Sequence, residues 1–448
     1  MYDMAGFSCS SPIKESREQQ AARERLCSVD IGEVMGMDIG GTLCKLMYFE
    51  KKRPPEASKA AWQLDDPLRE EVRLKRNVSL GNLHETARQK EALQQFYEFM
   101  ETAGDGTGGV RDEELTFYSP QLGGQLHFFR FETRLMDRAS EQIRQSTIHH
   151  AIKAIGCTGG GAFKYADYFH NKLNVEVLQM NEMACLVRGL QFVIANVPGE
   201  CYTYKPEPKP EVCGVDEENE EFLDPQDTFR NMRMRHLSEL REKVDYTFKV
   251  RRSNKELVGG YPALVVSIGS GVSILKVDGP AKFERVSGSS IGGGTYWGLA
   301  RLLTGATDFD ESLTMAEEGD SDLADMLVGD IYGRYAKFQL STNTLASSFG
   351  KCMLRDNPRE GLEDKDLAKA LVVMITMNIG QVAYLNAKLY DTQRIYFVGN
   401  FLRQNRISAR RLSFAIDYWS GGEMEALFFQ HEGYLGALGA FLKSGTEK

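Results

Sequence analysis

The chain has 448 residues, of which 42% are hydrophobic and 26% charged, the composition of a folded protein that buries a large core without disulfides or metals. Its 54 basic and 63 acidic residues give a formal net charge of −9, which argues against a nucleic-acid-binding protein because such a protein needs a basic face. No run of about 18 apolar residues occurs, so we expect no membrane span.

Residues 1–32 are predicted to form a disordered tail. They mix acidic with basic residues, and they lack both the apolar core of a secretory signal and the acid-poor composition of a mitochondrial presequence. The eight cysteines are scattered with no C-x-x-C pair, which favours reduced thiols over a disulfide framework or a zinc site. Both observations predict a cytoplasmic protein.

Strands and helices alternate between residues 33 and 200, the pattern of an α/β domain. We predict strands over 34–39, 43–49, 115–119, 125–132, 150–155 and 175–178, and helices over 85–100, 134–144, 162–169 and 182–194. Residues 33–200 are therefore predicted to form one domain.

Residues 201–258 interrupt this pattern. A proline-spaced segment, K-P-E-P-K-P, is followed by an acidic run at 216–221 and by a basic, partly helical stretch at 230–255. Because blocks of charge are usually solvent-exposed, we interpret this segment as a surface insertion. A regulatory or partner-binding arm is the alternative.

A second α/β unit is predicted over 259–448. Its predicted strands are 264–268, 272–277, 282–286, 394–398 and 426–429, and its predicted helices are 292–303, 364–391, 412–419 and 433–442. Like the first unit, it begins with a strand, a glycine turn and a second strand. This similarity indicates an internal duplication.

The turn between the first two strands carries a motif suited to phosphate, M-D-I-G-G-T-L-C-K. Gly40 and Gly41 allow the backbone to approach a phosphate closely. Thr42 offers a hydroxyl, Lys45 a positive charge, and Asp38 a carboxylate for magnesium or for its bound water. A tight glycine hairpin without a ligand is the structural alternative.

A second strand–glycine–strand turn follows more than 200 residues later, from Ser267 to Ser273, with Gly269 and Gly271 at its centre. Two such turns, each opening an α/β unit, resemble the phosphate loops of the actin/hexokinase superfamily. This resemblance implies two ribonuclease-H-like domains with an ATP cleft between them.

Further glycine positions extend the predicted nucleotide site. They are Gly292, Gly293 and Gly294 before one predicted helix, the triplet at 159–161 before another, and Gly399 with Asn400 after a predicted strand. Helix N-termini expose N–H groups and a positive dipole end, which suit phosphates. The Gly-Asn pair resembles the adenosine turn of the superfamily, although by itself it is only a turn signal.

Longer motifs resemble the eukaryotic-type (type II) pantothenate kinase family. In chain order they are G-M-D-I-G-G-T-L-C-K-L, C-T-G-G-G-A-F-K, N-E-M-A-C-L-V-R-G-L, I-G-S-G-V-S-I-L, R-V-S-G-S-S-I-G-G-G-T, L-L-T-G, F-V-G-N-F-L-R, D-Y-W-S-G-G and H-E-G-Y-L-G-A-L-G-A. The tail and the insertion have no counterpart. The chain departs from the family over 332–345 and at Asn181, where many members carry an acid.

The resemblance implies that ATP with Mg²⁺ phosphorylates the primary hydroxyl of pantothenate, the first step of coenzyme A synthesis. Glu182 matches the catalytic base of the family, and a hydroxyl nucleophile needs a carboxylate to accept its proton. Ser270, Ser273 and Arg285 match the pantothenate-binding positions, where an arginine can hold a carboxylate with two hydrogen bonds. A helix-favouring acid at Glu182 is the structural alternative.

The resemblance also implies a homodimer that acetyl-CoA or CoA inhibits. Tyr418 and Trp419 match a helix near the dimer interface, from which an aromatic side chain reaches the pantetheine arm in the partner's site. Ordinary packing at the end of a core helix is the alternative for this pair.

Two other functions compete with the kinase interpretation. A sugar or N-acetylhexosamine kinase could use the same scaffold, but an arginine suited to a carboxylate favours an acid substrate over a neutral sugar. A catalytically weak pseudokinase that senses acyl-CoA would be favoured by the loss of Glu182 or Arg285, and the chain has both.

Overall fold

The structure is a computed structural model that describes residues 34–51, 109–145, 152–206, 246–333 and 342–446. It contains two compact units. Unit 1 is built from two segments of the chain, one that ends at Phe192 and one that begins at Tyr434. Unit 2 is the segment between them, Val193–Gly433. The predicted tail and the predicted helix at 85–100 lie outside the described residues.

The described residues form sixteen strands, whose burial ranges from both faces in central strands to partial exposure at the sheet edges. They are β1 (Val34–Ile39), β2 (Leu43–Lys51), β3 (Val110–Arg111), β4 (Phe117–Ser119), β5 (Gly124–Glu132), β6 (Ala154–Thr158), β7 (Glu176–Gln179), β8 (Cys201–Lys205), β9 (Phe248–Arg251), β10 (Ala263–Ile268), β11 (Val272–Gly279), β12 (Lys282–Ser289), β13 (Met326–Leu327), β14 (Leu345–Ser347), β15 (Arg394–Val398) and β16 (Glu425–Phe429).

The helices confirm most of the predicted ones and extend several of them. They are α1 (Met136–Gln145), α2 (Gly161–Leu173), α3 (Glu182–Asn196), α4 (Asn254–Leu257), α5 (Gly293–Leu303), α6 (Phe309–Glu318), α7 (Val328–Tyr332), α8 (Asp364–Leu389), α9 (Arg406–Ser420) and α10 (Leu435–Thr446). Short 3₁₀ turns occupy Glu113–Leu115, Thr133–Leu135, Ser321–Leu323, Gly350–Leu354 and Asn400–Leu402.

The sheet of unit 1 has the strand order β3-β5-β2-β1-β6-β7, with β4 added beside β5. β1 pairs antiparallel with β2 and parallel with β6, and β6 pairs parallel with β7. β1 is buried on both faces, as expected for a central strand with a parallel neighbour.

The sheet of unit 2 repeats this arrangement. Its order is β12-β11-β10-β15-β16-β8-β9, and β10 pairs antiparallel with β11 and parallel with β15, which pairs parallel with β16. In each unit the five main strands therefore follow the order 3-2-1-4-5, with the first three antiparallel and the last two parallel. This shared order confirms the predicted duplication and the ribonuclease-H-like fold of each unit.

Helix α8 forms the centre of the unit 2 core. Leu371, Val372 and Ile375 are almost fully buried and belong to the same cluster as the apolar side chains of β10 and β15. By length and composition α8 is the one helix of the described residues that could cross a membrane. Its buried side chains support the prediction that this apolar stretch is core.

The predicted insertion at 201–258 includes parts of the unit 2 sheet. β8 pairs with β16, and β9 pairs with β8, so residues at both ends of this segment extend the sheet. Cys201, Tyr204 and Tyr246 are buried. The prediction of a surface insertion was wrong at these two ends, because short strands beside a proline-spaced, charged sequence carry little periodic signal. Residues 207–245 of the segment lie outside the described part of the chain.

Helix α10 packs in unit 1, whereas the sequence predicted it within the domain 259–448. Glycines on both partners allow this contact. A Cβ atom on Gly36 of β1 would overlap the backbone of Ala437, one on Gly156 of β6 would meet Ala440, and one on Gly189 of α3 would overlap Leu435. Glycine inside a strand often marks such a close backbone approach.

Several elements of unit 2 were not predicted, namely α6, α7 and the two-stranded sheet of β13 and β14. The start of α6 does carry a sequence signal, because the Asp308 side chain accepts a hydrogen bond from the Glu311 backbone N–H at 2.8 Å. An aspartate three residues before such a donor is a typical N-cap. The other elements are too short to show a period.

Replacing Gly439 with alanine should destabilise unit 1, because the added Cβ would overlap the Cys185 carbonyl oxygen. We expect a loss of about 1–3 kcal/mol, the usual cost of overpacking. Gly298→Ala is the matched control, since that Cβ meets nothing within 4 Å and should add about 0.5–1 kcal/mol of helix propensity. Urea unfolding of both variants measures the difference, and equal stability would contradict the close packing of α10.

Candidate active site

The turn between β1 and β2 is held by unit 1 itself. The Gly40 N–H donates to the Leu43 carbonyl at 3.0 Å, and Thr133 donates to the carbonyls of Gly40 and Thr42 through its hydroxyl and its N–H, at 2.8 and 2.9 Å. Gly41 and Thr42 are exposed. Their N–H groups donate to no residue that the structure describes, so they are available to a ligand.

The N-terminus of α2 lies against the end of β1. Gly159 has φ +84°, and a Cβ there would stand 2.6 Å from the Ile39 carbonyl oxygen and 2.7 Å from Asp38 Oδ1. Within the described ranges, the N–H groups of Gly160 and Gly161 have no acceptor. Two turns with free N–H groups thus meet at the end of β1, an arrangement suited to an anion.

Three charged side chains of unit 1 are grouped beside these turns. Asp38 and Lys45 are opposite each other on β1 and β2, with Nζ 3.5 Å from Oδ2. Glu182 is the first residue of α3, whose start Asn181 caps by accepting from the Ala184 N–H at 2.9 Å. Desolvation by the surrounding protein raises the pKa of Glu182, the charge of Asp38 adds to this, and Lys45 opposes it.

A raised carboxyl pKa makes Glu182 a stronger base than a free glutamate. The side chain is exposed to solvent, so a substrate hydroxyl can reach it. The sequence singled out Asp38 and Lys45 from one motif and Glu182 from another, and the structure brings the three together.

The residues present fit a magnesium ion held mainly by a substrate. No group of three or more His, Cys, Asp or Glu side chains in the described ranges could form a complete metal site. Mg²⁺ bound with nucleotide usually needs only one or two carboxylates, because phosphates and water complete its coordination. Asp38 is half-buried beside the free N–H groups and suits this role.

The glycine turn of unit 2 is hydrogen-bonded to the start of helix α5. The N–H of Gly269 donates to the Gly271 carbonyl at 2.9 Å. The N–H groups of Gly293 and Gly294, at the start of α5, donate to the carbonyls of Gly269 and Ser270 at 2.9 and 3.0 Å.

These hydrogen bonds change the interpretation of the triplet Gly292–Gly294. The Gly292 N–H donates to the Thr295 hydroxyl at 3.2 Å, and a Cβ on Gly292 would lie 2.8 Å from the backbone of Gly271. The triplet therefore packs one backbone against another, and its N–H groups are already engaged. Its phosphate-binding role stays a prediction.

Arg285 and Ser273, two of the predicted substrate-binding residues, lie together on the sheet of unit 2. Arg285 Nε donates to Ser273 Oγ at 3.4 Å, and Nη2 passes Gly288, where a Cβ would stand 2.6 Å from it. The other guanidinium donors reach no acceptor in the described part of the chain, and the side chain is exposed. Ser270 is also exposed but lies on the glycine turn. Gly288 was missed, although it lies inside the R-V-S-G-S-S motif.

The turn after β15 depends on Gly399. This residue has φ +110°, its N–H donates to the Glu432 carbonyl at 3.0 Å, and a Cβ there would overlap the Ile268 carbonyl oxygen. The Asn400 side chain is half-buried and makes no hydrogen bond with the residues described, so its amide can meet a ligand.

Tyr418 and Trp419 occupy the last turn of α9 and differ in their surroundings. Trp419 packs on Tyr384 of α8, with ring centres 5.8 Å apart. Tyr418 stacks on Phe414 at 5.7 Å, and Phe414 itself is exposed. Trp419 thus has a packing role within its own chain, which supports the structural alternative for this residue.

Gly436 in α10 was not predicted as part of the site. A Cβ at this position would stand 2.9 Å from Asp38 Oδ2, so α10 places its first turn directly beside that carboxylate. The motif H-E-G-Y-L-G contains this residue, but only the packing of α10 in unit 1 gives it a role.

Comparisons with known proteins agree on one family. A family model described as Fumble matches residues 34–443. Pantothenate kinase 1 of Arabidopsis thaliana is 41% identical over 334 residues, which make up 71% of this chain and 76% of that protein. Pantothenate kinase 2 of the same plant is 36% identical over 425 residues, and mouse 4′-phosphopantetheine phosphatase is 39% identical over 328 residues.

The coverage of these relatives differs widely. The match to Arabidopsis pantothenate kinase 2 covers 91% of this chain, and the match to the mouse phosphatase covers 73%. The chain spans only 38% of the former and 35% of the latter.

Proposed function

The chain belongs to the Fumble family of type II pantothenate kinases, and on that ground we propose that it transfers the γ-phosphoryl group of ATP to the primary hydroxyl of pantothenate. The observation that carries the proposal is the grouping of Glu182, Asp38 and Lys45 beside turns with free N–H groups in unit 1. The phosphorylated pantothenate would enter coenzyme A synthesis.

Glu182 would act as the general base. A primary hydroxyl is a weak nucleophile, and it attacks more readily when a carboxylate accepts its proton as the new bond forms. The raised pKa of Glu182 supports this role, because the carboxylate holds the transferred proton more tightly than an ordinary glutamate would.

Unit 1 would also hold the phosphates. The free N–H groups of Gly41, Thr42, Gly160 and Gly161 can donate to phosphate oxygens, and Lys45 adds a positive charge. Asp38 would hold Mg²⁺ or its water ligands. The ion, when bound, neutralises charge on the phosphate oxygens during transfer.

Arg285 would bind the carboxylate of pantothenate in unit 2. Its exposed guanidinium has donors left over after the bond to Ser273, and two parallel donors match a carboxylate. A sugar or N-acetylhexosamine kinase has no such group to recognise, so this arginine favours pantothenate over that alternative.

A catalytically weak, acyl-CoA-sensing protein remains the second candidate, because one relative, from mouse, is named 4′-phosphopantetheine phosphatase. The retained Glu182 and Arg285 favour an active kinase.

We further propose a homodimer that CoA and acetyl-CoA inhibit, in a cytoplasmic protein. Leu385 and Leu389 of α8 expose 55% and 72% of their surface, and Phe414 of α9 is also exposed, so these helices offer an apolar face to a second copy. Tyr418 lies beside Phe414 and is the better candidate for an inhibitor contact. The five described cysteines are unpaired, which supports a reducing compartment.

Glu182→Gln should lower kcat by about 10²–10⁴-fold, the usual contribution of a general base. The folded protein disfavours ionised Glu182, so removing the charge should not lower the melting temperature at neutral pH. The assay supplies ATP, Mg²⁺ and pantothenate, with glucose and N-acetylglucosamine as competing acceptors, and Glu176→Gln is the control. Wild type that prefers a sugar, or a Glu182→Gln enzyme with normal kcat, would overturn the proposal.

Arg285→Lys should raise KM for pantothenate by roughly tenfold or more and change KM for ATP little, because a lysine cannot make the paired contact. Pantothenamides lack the carboxylate and should lose less. Steady-state kinetics with both acceptors tests this, and equal losses on the two would show that Arg285 does not bind that group.

Combining Leu385→Glu with Leu389→Glu should give a monomer in light scattering, since two charges would be buried without partners in the apolar interface. Leu302→Glu on α5 is the control, because Leu302 is 80% exposed and lies on another helix. A dimeric double variant would place the interface elsewhere.

A further inference from the structure

Thr133 holds the glycine turn of unit 1 through two hydrogen bonds. It follows β5 and begins the 3₁₀ turn Thr133–Leu135, where only 7% of its surface is exposed. Its hydroxyl donates to the Gly40 carbonyl at 2.8 Å, and its N–H donates to the Thr42 carbonyl at 2.9 Å. Thr133 was not predicted as part of the site, because it lies 93 residues from Gly40 along the chain.

The bond from the hydroxyl sets the orientation of one peptide group in the turn. A trans peptide is planar, and its carbonyl and its N–H point in opposite directions. The Gly40 carbonyl and the Gly41 N–H belong to the same peptide group. Because Thr133 is buried and holds this carbonyl toward itself, the Gly41 N–H points away from Thr133, and Gly41 is exposed to solvent. The hydroxyl therefore decides which side of the turn carries this donor.

The two glycines do not fix this orientation by themselves. Glycine has no Cβ and adopts more backbone conformations than other residues, so the peptide between Gly40 and Gly41 could rotate. A Cβ on Gly41 would meet nothing within 4 Å, which shows that the surrounding protein leaves this residue room to move. A rotated peptide would present its carbonyl oxygen to a phosphate and repel it. The orientation thus depends on a contact from outside the turn.

The neighbouring peptide groups are held by contacts of the backbone. Before the turn, the Gly40 N–H donates to the Leu43 carbonyl at 3.0 Å, and the Ile39 carbonyl faces Gly159, where a Cβ would stand 2.6 Å from its oxygen. After it, the Thr42 carbonyl accepts the N–H of Thr133. Among these held carbonyls, that of Gly40 is the one whose hydrogen bond comes from a side chain.

The direction of the Gly41 N–H matters because the turn also carries a negative charge. Asp38 Oδ2 lies 3.5 Å from Lys45 Nζ, so part of the positive charge of Lys45 is already neutralised before a ligand binds. Backbone N–H groups then supply a larger share of the attraction for a phosphate. A donor that pointed the wrong way would be a substantial loss.

We propose that Thr133 is a positioning residue for the phosphates of ATP, whose hydroxyl keeps the peptide between Gly40 and Gly41 oriented with its N–H toward the ligand. This inference rests on the proposed kinase function, which assigns ATP to this turn. Thr133 does not touch the nucleotide itself and acts through the Gly40 carbonyl. Its hydroxyl should therefore affect the binding of ATP and have little effect on that of pantothenate.

The variants Thr133→Val and Thr133→Ser separate the hydroxyl from the rest of the side chain. Valine has nearly the shape of threonine and keeps the backbone bond to Thr42, but it cannot donate to Gly40. We expect its KM for ATP to rise by roughly tenfold or more, the effect of one hydrogen bond to a charged group, while KM for pantothenate changes little. Serine keeps the hydroxyl and should restore KM for ATP. Steady-state kinetics measures both constants.

Thr392→Val is the matched control. Thr392 is also buried, and it donates from its hydroxyl and its N–H to the Ala387 carbonyl in unit 2, at 3.4 and 2.9 Å. This variant should keep the wild-type KM for ATP. A Thr133→Val enzyme with a normal KM for ATP, a Thr133→Ser enzyme as impaired as the valine variant, or equal losses for ATP and pantothenate would overturn the inference.

Calorimetry of ATP with Mg²⁺, without an acceptor, separates failure of this inference from failure of the kinase function. A roughly tenfold weaker affinity in Thr133→Val, restored in Thr133→Ser, would support the positioning role even if pantothenate is not phosphorylated. Equal affinity for ATP in wild type and both variants would overturn the positioning role even if pantothenate is the substrate.

Discussion

Both units depend on the same close backbone contact at the end of the first strand of the sheet. In unit 1, Gly159 follows β6 and presses against the carbonyl of Ile39; in unit 2, Gly399 follows β15 and presses against the carbonyl of Ile268. Both glycines have a positive φ, which other residues rarely adopt. The contact sets the first strand's turn beside the turn of its parallel neighbour, and any side chain at either glycine would push the two apart.

The two units then use this shared frame differently. In unit 1 the neighbouring N–H groups stay free, and Asp38, Lys45 and Glu182 supply charge around them. In unit 2 the corresponding turn is bonded to the start of α5, and the nearby side chains are Ser273 and Arg285, which suit a carboxylate. Duplication of the backbone therefore did not duplicate the chemistry, because the first N–H groups of α5 donate to carbonyls of the unit 2 turn, whereas those at the start of α2 stay free.

Much of this could be predicted from the sequence where a local rule applies. Apolar runs around glycine turns located β1, β2, β10 and β11, and motif resemblance chose Glu182 and Arg285. Rules of local pattern could not place Cys201–Lys205 in a sheet, since its partner β16 lies more than 200 residues away. They also could not show that Gly293 and Gly294 donate to carbonyls of a distant turn, because hydrogen-bond partners are a property of the fold.

The return of α10 to unit 1 has a consequence for the order in which the chain acquires its structure. During synthesis the N-terminal part of a protein usually folds first. Here β1, β6 and α3 can pack against α10 only after residues 434–446 have been made. All of unit 2 is made before those residues. The first unit to emerge from the ribosome is thus the last to complete its core, and it must wait with an apolar surface uncovered.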